Sequence, residues 1–285
     1  MSGFSRFAAI AVSAGTACAA LCGSRPASAA DTAADRAAFQ QFFHAKFPGL
    51  TLSQFAEGPY ALDPAMRAQW QDIMQIPPYD FAVEEGRHLF ETKFADGRSY
   101  ASCLRNGGIG TRQIYPYFDV ASGQVVTLPD AINMCRTAHH EAPLDVETGA
   151  IASIDAYIAK TSRGHVTDVA VPDDRRAVSA LAEGKRLFEQ QRGPSHFSCA
   201  GCHVGGAGAR PDAGTIAPAL GILASFPIYR SAWGNMGTAA RRIRGCDKST
   251  GGPDLPADSY QYRAIEFYLA TMSNGVPVAG PGARP

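Results

Sequence analysis

The chain is expected to be mainly α-helical, with two tandem copies of one small domain behind a helical N-terminal extension. Two observations lead there. The first is an internal repeat. Glu85-Gly86-Arg87-His88-Leu89-Phe90 parallels Glu183-Gly184-Lys185-Arg186-Leu187-Phe188, and Ile154-Asp155-Ala156-Tyr157-Ile158-Ala159 parallels Ile265-Glu266-Phe267-Tyr268-Leu269-Ala270. Self-similarity on this scale marks a duplicated unit. The second is the pentapeptide Cys199-Ala200-Gly201-Cys202-His203, which falls between the two helical patterns of the second copy. C-x-x-C-H is the attachment signature of haem c: two thiols add to the porphyrin vinyl groups, and the following histidine ligates iron. Zinc or dithiol chemistry is the competing use of C-x-x-C, but no second C-x-x-C or H-x-x-x-H pair accompanies it.

In chain order, residues 1–29 form a secretory signal. Arg6 supplies its positive charge, Phe7 to Leu21 its apolar run, and Ala27-Ser28-Ala29 its cleavage site. Cys18 and Cys22 do not make a lipoprotein site, because Leu21 precedes Cys22 and Gly15 lies three before Cys18. No later segment approaches the roughly 20 apolar residues of a membrane span. With 26 basic and 26 acidic residues, nothing in the net charge selects nucleic acid as a partner. An exported, haem-bearing protein belongs in a bacterial periplasm.

Residues 30–79 precede the repeat. Phe39, Phe42, Phe43 and Phe47, then Trp70, Ile73 and Met74, are spaced as amphipathic helices. They pack either across the two domains or against another subunit. The first copy spans 80–168 and the second 169–285. Each opens on a helix with Gly and Phe four apart and closes on an amphipathic helix. In the second copy that helix, about Ser259 to Ser273, puts Tyr262, Ile265, Leu269 and Met272 on one face. Both copies then end in Ser-x-Gly, at Ser162 and Ser273. With these parts flanking C-x-x-C-H, each copy is cytochrome c-like.

Alignment of the two loops separates the copies. Cys199 corresponds to Cys103, but Cys202 and His203 correspond to Asn106 and Gly107. The first copy lacks a thiol and the iron ligand, so one haem c is expected in all. Five cysteines follow the signal: Cys103, Cys135, Cys199, Cys202 and Cys246. In an oxidising compartment Cys103 and Cys135 are expected to form a disulfide, contributing on the order of 3–4 kcal/mol, with two free buried cysteines as the alternative.

Cys246 is then the thiol left over. One constant offset places it on Cys135, where a distal iron ligand of the second copy would sit. Met236, in a glycine-rich turn, and Met272 compete for that role. Cys246 is preferred because iron coordination explains an unpaired exported cysteine, and an anionic thiolate favours ferric iron. Arg241, Arg242 and Arg244, with Arg230 upstream, crowd the approach to it. If this stretch is helical, Arg242 and Cys246 share a face. Guanidiniums beside a thiolate suit a small dianion such as an oxysulfur species. Arg242 is the choice for substrate; a solvated basic face or contacts to haem propionates are the other uses of this cluster. His139, His140 and His165 are expected at the surface, His44 and His88 in helix packing or at the surface, and His196 near the porphyrin edge.

Six stretches carry a resemblance to a known family: Phe94-Ala95-Asp96-Gly97-Arg98-Ser99-Tyr100, Asn106-Gly107-Gly108-Ile109-Gly110, Phe197 to His203, Tyr229-Arg230-Ser231-Ala232-Trp233-Gly234, Arg241-Arg242-Ile243-Arg244-Gly245-Cys246 and Met272-Ser273-Asn274-Gly275. Over essentially the whole mature length the chain resembles the SoxA subunit of SoxAX cytochromes. The resemblance implies an L-cysteine S-thiosulfotransferase, a sulfur transferase coupled to cytochrome c reduction. Such enzymes join thiosulfate oxidatively to a cysteine of the carrier SoxYZ. It implies Cys246 as iron ligand and persulfide relay, Arg242 as substrate ligand, His203 as the other axial ligand, and SoxX as the electron-accepting partner. Some members carry two haems; Asn106 and Gly107 depart from them. A thiosulfate dehydrogenase forming tetrathionate, and a non-enzymatic electron-transfer cytochrome, are the other readings. Intact mass of the mature protein should show one haem addition; two would overturn the loop alignment.

Overall fold

The computed structural model describes residues 29–211 and 214–284, so all but the last residue of the expected export signal lies outside it. The fold is mainly helical, and the strands among the described residues are three residues long. Helix α1 covers Ala29–Lys46 and α2 Pro64–Ile73, with the tight turns of Leu52–Ala61 between them. Asp63 starts α2 by accepting from the amides of Ala65 and Met66, and Pro64 occupies the first turn, where no amide donor is needed.

Two stretches of similar order follow. Helix α3 (Asp80–Glu91) leads through short turns to β1 (Tyr117–Asp119), β2 (Gln124–Val126), α4 (Leu128–Ala138) and α5 (Ala150–Thr161). Helix α6 (Arg175–Glu189) leads to β3 (Ile228–Arg230), β4 (Asn235–Gly237), α7 (Ala239–Ser249) and α8 (Tyr260–Met272), and the described chain closes on β5 (Gly282–Arg284). Both hairpins are antiparallel, β1 with β2 and β3 with β4, while β5 joins β3 in parallel. Thr127 and Thr238, at equivalent places, cap α4 and α7 by accepting from Asp130 and Arg241 amides.

In each stretch the first helix crosses the last at a glycine. A Cβ on Gly86 of α3 would collide with the Ser153 carbonyl of α5, and one on Gly184 of α6 with the Ala264 carbonyl of α8. Only a residue without a side chain permits backbones this close. The crossings organise two apolar cores. One gathers Phe90, Tyr100, Leu128, Ile132, Ile151 and Ile154; the other gathers Phe188, Tyr262, Ile265, Phe267, Leu269 and Met272.

The N-terminal extension packs mainly on the second core, while Met74 and Tyr79 at its end join the first. Phe43 and Phe55 are wholly buried in the second. Gln40 Nε2 donates to the carbonyls of Met272 (3.1 Å) and Asn274 (2.9 Å), and Tyr60 donates to the Ala283 carbonyl (2.9 Å). The two stretches are themselves joined. Thr238 N donates to Glu147 O (3.0 Å), Thr167 N donates to Val276 O (2.9 Å), and Arg244 pairs with Glu147 (2.8 Å).

Asp155 of α5 and Glu266 of α8 stand at equivalent positions of the repeat, and both are buried. Arg112 lies 3.6 Å from Asp155 and draws both carboxyls down, yet burial wins and pushes Asp155 up to about 6 and Glu266 up to about 8. Since the folded values exceed the unfolded ones, 3.8 and 4.5, the native state holds protons that the unfolded chain has lost. Stability from these groups is complete below about pH 4 and falls as pH rises towards 8, for Glu266 alone by at most about 1.4 kcal/mol per pH unit. Denaturation midpoints measured across this range should fall with pH, and Glu266→Gln should flatten the slope; an unchanged slope would refute this assignment.

Candidate functional site

The Cys199–His203 pentapeptide sits on a tight turn following α6. Its Gly201–Gly205 part is wound wider than an α-helix, and Ser198 caps it by accepting from Gly201 N at 2.9 Å. Lys46 of α1 closes the other end, donating to the carbonyls of Val204 (2.8 Å) and Gly205 (2.6 Å). His203 is fixed by tertiary structure: Nδ1 donates to the Ala217 carbonyl at 2.9 Å, and the Ala219 amide donates to the His203 carbonyl at 2.8 Å. That bond settles the tautomer and leaves Nε2 as the available ligand atom. Burial, reinforced by the Arg242 charge, holds the imidazole below its ordinary value despite the Ala217 bond, which keeps it neutral as a metal ligand must be.

Helix α7 delivers Cys246. Cys199, Cys202 and Cys246 are all half-buried free thiols, with Cys246 in electrostatic reach of Cys202, Cys199, Arg242 and Arg230. Burial pushes Cys199 up to about 11, with Arg192 opposing it, and raises Cys246 against the pull of Arg242 and Arg230. Three free thiols and a neutral imidazole whose Nε2 is left available form a donor set whose chemistry fits haem c.

The arginines of α7 divide their work, which corrects the expectation that all three crowd Cys246. Arg241 donates to Asn235 Oδ1 (2.6 Å) and lies over the Trp233 ring, 4.2 Å from its centre. Arg244 is held by Asp254 and Glu147, each at 2.8 Å. The Arg242 side chain makes no hydrogen bond or ion pair among the described residues, and it lies one turn before Cys246. Met236, the alternative ligand, is buried in the other core with Tyr115 and Ile132, and Met272 is packed among apolar side chains.

The equivalent place in the first stretch is built differently. Cys103 and Cys135 are joined by a disulfide with their Cα atoms 5.7 Å apart. Asn106 and Gly107 both turn left-handed, at φ 48° and 69°. Phe90, Phe94 and Tyr100 fill the interior, with Tyr100 4.9 Å from Phe94 and 6.0 Å from Phe90, ring centre to ring centre. Phe94 also stacks on His139, whose Nδ1 meets Asp96 at 2.6 Å, so this histidine is tied down rather than free at the surface. His196 is exposed, with φ 53°.

One interaction of the site escaped sequence reasoning. Arg192 reaches across from the loop after α6 to clamp Asp247, the residue after Cys246, with both carboxylate oxygens at 2.6 and 2.7 Å. The pair is buried, at 9% and 6% side-chain exposure, and ties the thiol-bearing turn to the helix opposite it. An acid directly after Cys246 was the available signal; its partner, 55 residues away, gave none. Arg192→Ala strands a buried carboxylate and should cost roughly 3–5 kcal/mol, read by chemical denaturation. Asp247→Asn added to it should restore part of that; additive losses would deny the pairing.

Comparison with known proteins agrees with this geometry. The family model for the SoxA/TsdA cytochrome c domain matches residues 85–166 and 183–278, one segment over each glycine crossing. The L-cysteine S-thiosulfotransferase subunit SoxA of Allochromatium vinosum is 43% identical over 91% of this chain and 92% of its own length. The subunit of the same name from Chlorobaculum tepidum is 45% identical over 88% of this chain and 87% of its own. Among solved structures, SoxXA from P. pantotrophus superposes with a TM-score of 0.67 at 26% identity, covering 77% of this chain and 83% of that one. With a haem-type donor set on a cytochrome c fold and relatives alike over nearly the full length, the chain belongs to the SoxA family.

Proposed function

We propose that this protein is the SoxA subunit of a periplasmic L-cysteine S-thiosulfotransferase, a haem enzyme that joins thiosulfate to a cysteine of the carrier SoxYZ. The observation that carries the proposal is the placement of Arg242 one helical turn before Cys246: a half-buried thiol beside a guanidinium that has no hydrogen bond or ion pair among the described residues. A cation kept unpaired beside a sulfur nucleophile is suited to a sulfur-bearing dianion.

Cys199 and Cys202 would attach one haem c, and His203 and Cys246 would hold its iron. When bound, haem c supplies electron-accepting chemistry beside the Cys246 sulfur. The first stretch, residues 80–168, is a haem-less copy of the second, 169–285. Its interior is occupied by Phe90, Phe94 and Tyr100, and its Cys103–Cys135 disulfide spans the positions equivalent to Cys199 and Cys246.

Arg242 holds the sulfonate end of thiosulfate and lessens the repulsion between two anions. The terminal sulfur then bonds to the Cys246 sulfur, or to the outer sulfur where Cys246 is carried as a persulfide, with loss of one proton and two electrons. Those electrons leave through the partner cytochrome SoxX. The carrier thiolate attacks the sulfane sulfur bonded to the sulfonate, takes the thiosulfonate, and releases Cys246 as the thiolate, or as the persulfide anion where it began as a persulfide. Export to the periplasm supplies the setting in which the disulfide persists.

Cys246→Met should keep covalent haem, because attachment needs only Cys199 and Cys202. Its potential should rise as a neutral ligand replaces an anion, and carrier-dependent turnover should collapse. Arg242→Ala should keep the haem spectrum and lose roughly 2–5 kcal/mol in kcat/KM for thiosulfate. Near-normal turnover in Cys246→Met defeats the relay role and favours an electron-transfer cytochrome. Tetrathionate formation without carrier would instead favour a thiosulfate dehydrogenase.

A further inference from the structure

A second cationic group lies beside the site, and the carrier chemistry uses none of it. Arg230 and Arg284 are register partners on the neighbouring strands β3 and β5. Arg284 is half-buried. Its Nη2 donates to Ser225 Oγ at 3.1 Å, its Nη1 reaches the Ala283 carbonyl at 3.4 Å, and its guanidinium lies over the Tyr60 ring, 4.5 Å from the centre. No carboxylate pairs with it among the described residues. Tyr60 belongs to the N-terminal extension, where it stacks on Trp70 at 5.2 Å. Gly58 lies against the same group: a Cβ there would stand 3.0 Å from Arg284 Nη2 and 3.8 Å from the Ala217 side chain. Ala217 is the residue whose carbonyl orients His203. Arg284 therefore belongs to the surroundings of the proximal histidine.

Arg230, Arg242 and Arg284 also act on one another. Burial lowers both Arg230 and Arg284 from the ordinary arginine value, and Arg242 and Arg284 each add repulsion at Arg230. Like charges gathered in a partly desolvated place repel one another, and an anion brought among them offsets that repulsion. The side on which they gather matters. The charged residues acting on the Cys199 thiol are Arg192 and Asp247, whereas Arg242 acts on His203, and Arg242 and Arg230 act on Cys246. In the porphyrin, the vinyl positions that take the two thiols and the two propionates occupy opposite edges. A ring anchored through Cys199 and Cys202 presents its carboxylates away from them.

We propose that Arg230 and Arg284 are positioning residues that clamp the haem propionates, and that the N-terminal extension completes this clamp through Tyr60. Forked guanidinium–carboxylate bonds give the planar geometry that such a clamp needs. Arg242 is left for the substrate. The inference rests on haem c at Cys199 and Cys202, and gives the 30–79 extension a role in the site.

The test is redox titration of the purified haem protein across pH, with intact mass read on the same samples. Removing a cation beside the haem favours the ferric state. Arg284→Gln should therefore shift the reduction equilibrium about tenfold, a fall of about 59 mV for one electron. An unpaired propionate should take up a proton near neutrality, so the potential should become pH-dependent between about pH 6 and 8. Arg284→Lys should retain most of the wild-type value, and Tyr60→Leu should move it in the direction of Arg284→Gln. Arg230→Gln reads the same property should Arg284→Gln fail to accumulate. Loss of covalent haem from the unmutated protein would sink the haem assignment itself. One covalent haem with unaltered potential and pH profile in Arg284→Gln and Arg230→Gln would overturn the clamp alone. A raised KM for thiosulfate with an unaltered potential would also overturn it, giving these arginines to the substrate.

Discussion

Two positions without side chains set the architecture. At Gly86 and Gly184 a helix backbone rests on the carbonyl of the helix that ends the same stretch, and any Cβ would separate them. The contact at Gly184 holds α6 against α8. What lies between those helices in sequence must therefore close on itself in space: the pentapeptide turn leaves α6, and α7 arrives just before α8. Cys246 comes within electrostatic reach of Cys199 and Cys202 because their flanking helices are locked, not because any local feature directs one to the other. Arg192 and Asp247 then fasten the two arms together across the opening.

The same scaffold supports two outcomes. In the second stretch the interior beside the turn is lined by thiols, an oriented imidazole and guanidiniums. In the first, aromatic rings occupy the interior and a disulfide joins the two arms. A cross-link and a packed aromatic cluster are physically reasonable substitutes for a large cofactor. One restricts the unfolded chain and the other restores apolar burial. The persistence of β1–β2 and β3–β4 at equivalent places shows that this frame does not depend on which filling it holds.

Electrostatics gives the site its selectivity. Of the arginines on α7, two are held by protein groups, and such charges are neutralised where they stand. The one left unpaired lies on the face of Cys246. On β5 the Arg284 cation is backed by a tyrosine ring and a serine hydroxyl, neither of which cancels a positive charge. The site as a whole is built to receive anions at more than one place, and the pattern of pairing decides which cation each meets.

Much of this was legible in the sequence because it rests on local patterns and on repetition. The haem-attachment pentapeptide, the helices around Gly86 and Gly184, the equivalence of Cys135 with Cys246, and the four-residue spacing of Arg242 and Cys246 all follow from residue type and spacing. Tertiary structure decided the rest. Cysteine counting favours Cys246 over Met236 without showing where the thioether goes; packing places it in the other core. Nothing in the triplet Arg241, Arg242 and Arg244 says which is unpaired, since Asn235, Glu147 and Asp254 are brought to α7 only by folding. The spacing of the extension's apolar residues does not say which side chains they meet, and the Ala217 carbonyl that orients His203 carries no side-chain signature at all. Periodicity reports which residues are buried, but the identity of a partner across the fold depends on chain geometry that no local pattern records.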